Sequence, residues 1–188
     1  MFKNGLKIGF LAISILCICS CTEDDLKNAA AISSKKITLT KDRTYGMEVT
    51  YSDSAVVKAK GYAPIYDKVK PSEGAIYNEM PKGVKLEFYD AYLQVTGTIT
   101  SNYCINDETK RTTIFRKNVV VVNDKMTFTT EELTWDENLK MYSSPYGTVV
   151  TKGGDVLTGS AFSAPQDFSS YKINTATAEG YVKNDFKP

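Results

Sequence analysis

The stretch "ELTWDENLKMYSSPYGTVVTKGGDVLTGSAF", residues 132–162, decides the fold class. Leu133 and Trp135 flank Thr134, and Asp136-Glu137-Asn138 then breaks the alternation. Apolar and polar residues resume their exchange until Pro145, and again until Gly153-Gly154. Alternation with period two places successive side chains on opposite faces of a strand. Asp, Asn, Pro and Gly supply the preset or positive φ and the side-chain acceptors that turns require. Hairpins this short, apolar on one side, are not stable alone in water. Stacked as rungs, they form two sheets that share an apolar interior.

Outward from this stretch the same pattern holds. Met47, Val49 and Tyr51 alternate with Glu48 and Thr50. Val84, Leu86 and Phe88 alternate with Lys85 and Glu87. Val95, Gly97 and Ile99 alternate with Thr96 and Thr98, and Met126 and Phe128 with Thr127 and Thr129. One wet and one greasy side per strand is the pattern of antiparallel sheets with a solvated outer face. Turn signals stand at Pro64, Pro71-Ser72-Glu73-Gly74, Pro81-Lys82-Gly83, Asn106-Asp107, Asn123-Asp124 and Pro145. Their spacing suits an all-β sandwich, barrel or roll, and no long segment carries a helical stripe. Residues 119–122, four consecutive valines, read as a strand covered on both faces.

The N-terminus reads differently. Lys3 and Lys7 precede an apolar run over residues 8–18, the plan of a secretory signal. The run is short of the roughly 20 apolar residues that span a bilayer. Ile18-Cys19-Ser20-Cys21 resembles a lipobox, so residues 1–20 are expected to be a lipoprotein signal peptide and Cys21 the acylated residue. Residues 21–36, polar and small, are then a lipidated tether, and residues 37–188 form one domain. Of four cysteines, Cys17 and Cys19 leave with the signal and Cys21 carries lipid. Cys104 is left without an intrachain partner and reads as a small buried thiol.

Composition narrows the function classes. The chain has 23 Lys and Arg against 22 Asp and Glu, and loss of Lys3 and Lys7 tips the balance slightly acidic. A nucleic-acid partner, which needs a dense basic patch, is not expected. There is no histidine, the usual general base and commonest metal ligand. Glu131 and Glu132 point to opposite faces of a strand and do not converge as a glycosidase pair. We therefore expect no enzyme activity, no cofactor and no metal.

Several elements, taken in order, resemble the LptC family, the periplasmic component of the lipopolysaccharide export machinery, in its Bacteroidetes-type lipoprotein form. They are Leu133-Thr134-Trp135-Asp136, Tyr146-Gly147-Thr148, Gly159 with Phe162, Asp167-Phe168-Ser169 with Tyr171 and Ile173, and Gly180. Upstream, "VTYSDSAVVKAKGYAPIY", "MPKGVKLEFYD" and "NVVVVN" also fit, so the resemblance spans roughly residues 45–183. Two departures stand out. Better-known members carry an N-terminal membrane helix where this chain has Cys21, and the "NYCINDETKRTTIFRKNVVVVN" segment is shorter than the usual connection.

The resemblance implies an open β-jellyroll of two stacked antiparallel sheets with an apolar groove for lipopolysaccharide acyl chains. It implies a non-catalytic protein that accepts lipopolysaccharide from an inner-membrane ABC transporter. Cargo then passes to a periplasmic bridge of the LptA type, joined by edge-strand addition. The groove candidates are the apolar-parity residues Val84, Leu86, Phe88, Val95, Ile99, Phe128, Leu133, Trp135 and Ile173. Gly147, Gly159 and Gly180 read as bulges or tight bends, and alternatively as clearance for cargo. Asp136 and Asp167 read as turn residues. The family role places the lipid anchor in the inner membrane facing the periplasm, while "TEDD" after Cys21 leaves an outer-membrane destination open. The competing expectation is an exported β-sandwich lipoprotein that binds glycan or a cell-surface protein, for which the 12 tyrosines would suit sugar stacking.

Overall fold

A computed structural model describes residues 37–179. The expected signal peptide, Cys21, the whole tether and Gly180 lie outside these residues. The described chain is all-β, with no helix. Its strands are β1 (Leu39–Asp53), β2 (Val56–Pro71), β3 (Tyr77–Met80), β4 (Val84–Tyr89), β5 (Val95–Ser101), β6 (Tyr103–Asp107), β7 (Thr112–Asn123), β8 (Met126–Asp136), β9 (Met141–Thr151), β10 (Val156–Pro165) and β11 (Lys172–Glu179). Every pairing is antiparallel.

The topology is a nearest-neighbour meander. β3 and β4 run as one interrupted strand beside β2, and β5 and β6 as another, so each of β2 and β7 pairs with both pieces of its neighbour. Side-chain acceptors open the hairpin turns. Asp90 Oδ1 accepts from the Tyr92 and Gln94 N–H groups at 2.8 and 2.9 Å, and Asn123 Oδ1 from Lys125 and Met126 at 2.8 and 2.9 Å. Asp136 Oδ1 accepts from Asn138 and Leu139 at 2.9 and 3.0 Å. These are Asx turns, in which the side chain replaces a backbone acceptor.

One line of irregularity crosses the whole stack. Gly46 has φ +63° and faces Pro64 across the β1–β2 ladder, where pairing skips from Tyr45↔Ile65 to Met47↔Ala63. The line continues through the β3–β4 break at Pro81-Lys82-Gly83 and the β5–β6 break at Asn102. It then meets left-handed Lys117 and Asn118 in β7, where the β7–β8 register shifts between Arg116 and Val119. Pro145 in β9 and left-handed Ala161 in β10 carry it on. Bulges and prolines bend strands and interrupt ladders. Aligned in neighbouring rungs, they form a crease that folds the long meander into two leaves.

This crease corrects one expectation. Pro64, Pro81-Lys82-Gly83 and Pro145 read in sequence as chain reversals between short strands, yet in the structure they bend strands of up to 16 residues. The chain reverses elsewhere. Ser54-Ala55, with both residues at positive φ, makes the two-residue β1–β2 turn between the paired Asp53 and Val56.

The leaves face one another across the core. Phe128, before the β8 bend, stacks on Phe162, after the β10 bend, with centroids 3.8 Å apart. Ile99, Val119, Val121 and Val149 from one leaf and Cys104, Phe115, Leu133 and Ala164 from the other are fully buried in the same cluster. Of the four valines, Val119 and Val121 point inward while Val122 is exposed, so this strand is covered on one face and solvated on the other. Its two edges are closed by β8 on one side and by β5 and β6 on the other. Among the described residues, only β1 and β11 end the stack with an unpaired edge.

Candidate functional site

The core does not fill the space between the leaves evenly. Toward β8–β11 it is plugged by aromatic rings. Trp135 packs on Tyr142 and Tyr142 on Phe168, each at 4.6 Å, while Phe162 stacks on Phe128 and approaches Tyr171 at 6.1 Å. Toward β1 the leaves part around a cleft of about 440 Å³. Its walls include Met47, Val49 and Tyr51 of β1, Leu86 and Phe88 of β4, and Phe115 and Trp135 of the facing leaf. An adjoining cleft of about 640 Å³ shares Tyr51, Phe88, Lys140 and Gln166 with it and is rimmed by Pro165 at the end of β10 and by residues 166–168 of the loop that follows. The first volume falls within the roughly 300–1,000 Å³ of small-molecule sites, which are concave, mostly apolar and supplied with a few polar groups.

The wall at β1 has a particular character. Val49 and Tyr51 stand on the interior side yet are 51% and 45% exposed, because no further strand among the described residues covers them. Contiguous exposed apolar surface of this kind marks a ligand or partner site more often than a lone exposed leucine does. Two charge clamps hold this wall to the stack. Arg43 donates to Asp67 through Nε and Nη2 at 2.6 and 2.7 Å, and Lys41 donates to Glu79 at 2.7 Å. The Arg43 hydrogen bonds hold the Asp67 carboxyl below the usual range. Burial works against the Glu79 carboxylate, but hydrogen bonds from Lys41 and Tyr103 outweigh it and leave that group lowered as well.

The sequence-derived groove residues divide into three groups. Val84, Leu86, Phe88 and Trp135 line the cleft together. Ile99, Phe128 and Leu133 are completely buried in the closed core, where neighbouring side chains already occupy the interleaf space. Val95 is exposed near the β4–β5 turn, and Ile173 lies half-buried on the terminal strand β11 beside Gly159. Neither lines the cleft.

The remaining family-motif residues have structural surroundings. A Cβ on Gly147 would overlap the Phe128 ring, and one on Gly159 would come within 2.7 Å of the Asn174 carbonyl oxygen. Asp167 Oδ1 accepts from the Ser169 N–H at 3.0 Å, and Phe162 and Phe168 are buried in the plug. Cys104 is free and buried, and burial pushes its thiol up to about 12, so it carries no thiolate at neutral pH.

Sequence reasoning left out part of the cleft wall. Met47, Val49 and Tyr51 show a clean alternation, but nothing local says that the first strand faces a cleft. Tyr66, Asn78, Asn106 and Thr113 also line the cleft. Their polarity hides them from an apolar pattern, although Asn78 shares the inward parity of Met80 and Asn106 that of Cys104. No family model matches the chain, and no curated protein matches it.

Proposed function

We propose that this chain is a non-catalytic lipid carrier of the LptC type. It accepts lipopolysaccharide from an inner-membrane ABC transporter by holding acyl chains between its leaves. It hands them along a periplasmic bridge of LptA-type jellyrolls toward the outer membrane. Lipidated Cys21 would tether it to the membrane on the periplasmic side. The observation that carries this reading is the apolar cleft between the leaves, lined by Leu86, Phe88 and Trp135 and bordered by exposed Val49 and Tyr51. Burial of one methylene is worth about 0.8 kcal/mol, so roughly ten buried methylenes contribute about 8 kcal/mol before the costs of binding. Such a site needs no reactive group. The unpaired edges of β1 and β11 support the second half of the reading, because an open strand edge accepts another chain by β-addition.

The test is what travels with the protein. Lipid A is expected by mass spectrometry in material purified from its native membrane. It should be lost in Phe88→Asp and Trp135→Asp, two half-buried positions where a carboxylate can still reach water, with the melting transition retained. Glycan-array binding by a protein whose cleft holds no lipid would instead favour the glycan-binding lipoprotein.

A further inference from the structure

A hollow of about 330 Å³ lies at the crease and shares no residue with the two clefts between the leaves. Thr129 and Thr148 line it, and they alternate with core-facing Phe128 and Val149, so it opens on the outer face of the sheet. It forms where the β8–β9 ladder has a gap. Pairing runs to Thr129↔Thr148 and resumes only at Thr134↔Ser143. Two hydroxyls bridge that gap. Thr130 donates to the Tyr146 carbonyl at 2.6 Å and Ser144 to the Glu132 carbonyl at 2.7 Å. Thr130 Oγ1 also accepts the Glu132 N–H at 3.2 Å. Tyr146 is thus pinned through its backbone while its side chain lines the hollow, and the residue stays 59% exposed.

Three more exposed side chains line the same hollow: Asn118, from the left-handed bulge of β7, Thr129 and Glu131. None of the three makes a side-chain hydrogen bond or ion pair with a described residue. Glu132 is paired with Arg116 at 2.7 Å, which leaves Glu131 as the uncompensated charge of the hollow. Lys117, beside Asn118, lies over the Tyr103 ring and does not line it.

This combination is selective. A phosphate or carboxylate ligand is repelled by Glu131. A wholly apolar ligand would strip water from an amide, a hydroxyl and a carboxylate and return no hydrogen bond. A strand-forming peptide finds no open edge, because β8 is paired with β7 and β9 with β10 on either side of the gap. A sugar ring has what is needed, an apolar C–H face for an aromatic ring and hydroxyls that both donate and accept.

We propose that this hollow binds a neutral saccharide, whose ring lies C–H face down on Tyr146 and whose hydroxyls bond Asn118, Thr129 and Glu131. The site is separate from the clefts and does not depend on the acyl-carrier reading.

The experiment is saturation-transfer NMR with competition titration on the full-length protein, in a detergent without sugar head groups. The probes are the methyl pyranosides of glucose, galactose and mannose, each beside its matching uronic acid. At least one neutral sugar is expected to bind, with saturation concentrated on its C–H face. It should bind about two- to fivefold more tightly than its uronic acid, as expected for one exposed like charge. Glu131→Gln should close that gap. Tyr146→Ala should weaken the neutral sugar about two- to tenfold with the melting transition unchanged, and Tyr146→Phe should retain it. The inference is overturned if no neutral sugar binds the wild type, if the uronic acid binds equally well, or if the gap persists in Glu131→Gln. Unchanged binding in Tyr146→Ala overturns it too. The uronic-acid comparison uses wild-type protein alone and decides the matter even if Tyr146→Ala does not fold. Lipid A retention by Tyr146→Ala is expected to match the wild type, so a negative sugar result leaves the carrier reading standing.

Discussion

At the scale of single residues, the tightest constraint in the core is the absence of a side chain at Gly147. Its Cβ would overlap the Phe128 ring and stand 2.8 Å from the Thr129 carbonyl oxygen. The ring cannot retreat, because it is fully buried and stacked on Phe162. Gly147→Ala is therefore expected to cost about 1–3 kcal/mol by overpacking. Gly153→Ala, whose Cβ would find its nearest neighbours at an ordinary 3.6 Å, should stay within about 0.5 kcal/mol of the parent. Urea unfolding of the two variants reads the difference, and a double mutant with Phe128→Leu should recover part of the Gly147 loss. Indistinguishable midpoints for the two alanine variants would refute the packing account. The packing partner of Gly147 is not visible in the sequence, since Phe128 lies nineteen positions away and meets it only through the β8–β9 pairing.

At the scale of elements, alternation made most strands legible, while their continuity was not. Pro81-Lys82-Gly83 and Pro145 carry the same local chemistry whether the chain reverses or bends, and only the register of neighbouring strands separates the two. Ser54-Ala55 shows the converse, a tight turn without the Asn-Gly signature, forced to positive φ by pairing on either side. The cleft was half legible for the same reason: parity identifies Leu86, Phe88 and Trp135 as inward, but cannot say that Phe128 and Leu133 meet filled space. β1 shows what an element needs when it has a neighbour on one side only. Its clamps to β2 and β3 run through Asp67 and Glu79, both held below their unfolded values near 3.9 and 4.3. A lowered folded value means stability that is present above the unfolded value and lost as pH falls through the folded one. The thermal stability of the wild type should hold above about pH 4.5 and fall below about pH 4 as these clamps protonate. Arg43→Leu removes one clamp at every pH, so its deficit against the wild type should be largest at neutral pH and shrink with acidification. A deficit that stays constant from pH 7 to pH 3 would show that the Arg43–Asp67 pair does not hold the strand.

At the scale of the whole molecule, the trough is polarised. Its β1 end is open, with exposed Val49 and Tyr51, whereas its β8–β11 end is closed by two runs of packed rings. On the carrier reading proposed above, an acyl chain entering between the leaves would meet a stop at the plug, which would set the length of chain the cleft accepts. In a homologous series of saturated fatty acids, affinity should rise about fourfold per methylene while each added group is buried. It should then level off once the chain end reaches the plug. Phe168 is the member best placed to test this, since it packs on Tyr142 and also borders the adjoining cleft. Phe168→Ala is expected to cost about 3–5 kcal/mol in stability, as for other buried Phe→Ala changes. In exchange it should move the plateau to longer chains by joining the two clefts. Phe168→Leu removes the ring with less loss of apolar volume and serves if the alanine variant does not fold. Isothermal titration across the series reads the plateau directly. If it stays at the same chain length after the ring is removed, the plug is not what ends the groove, and the carrier reading would then place the chains along the open face beside β1.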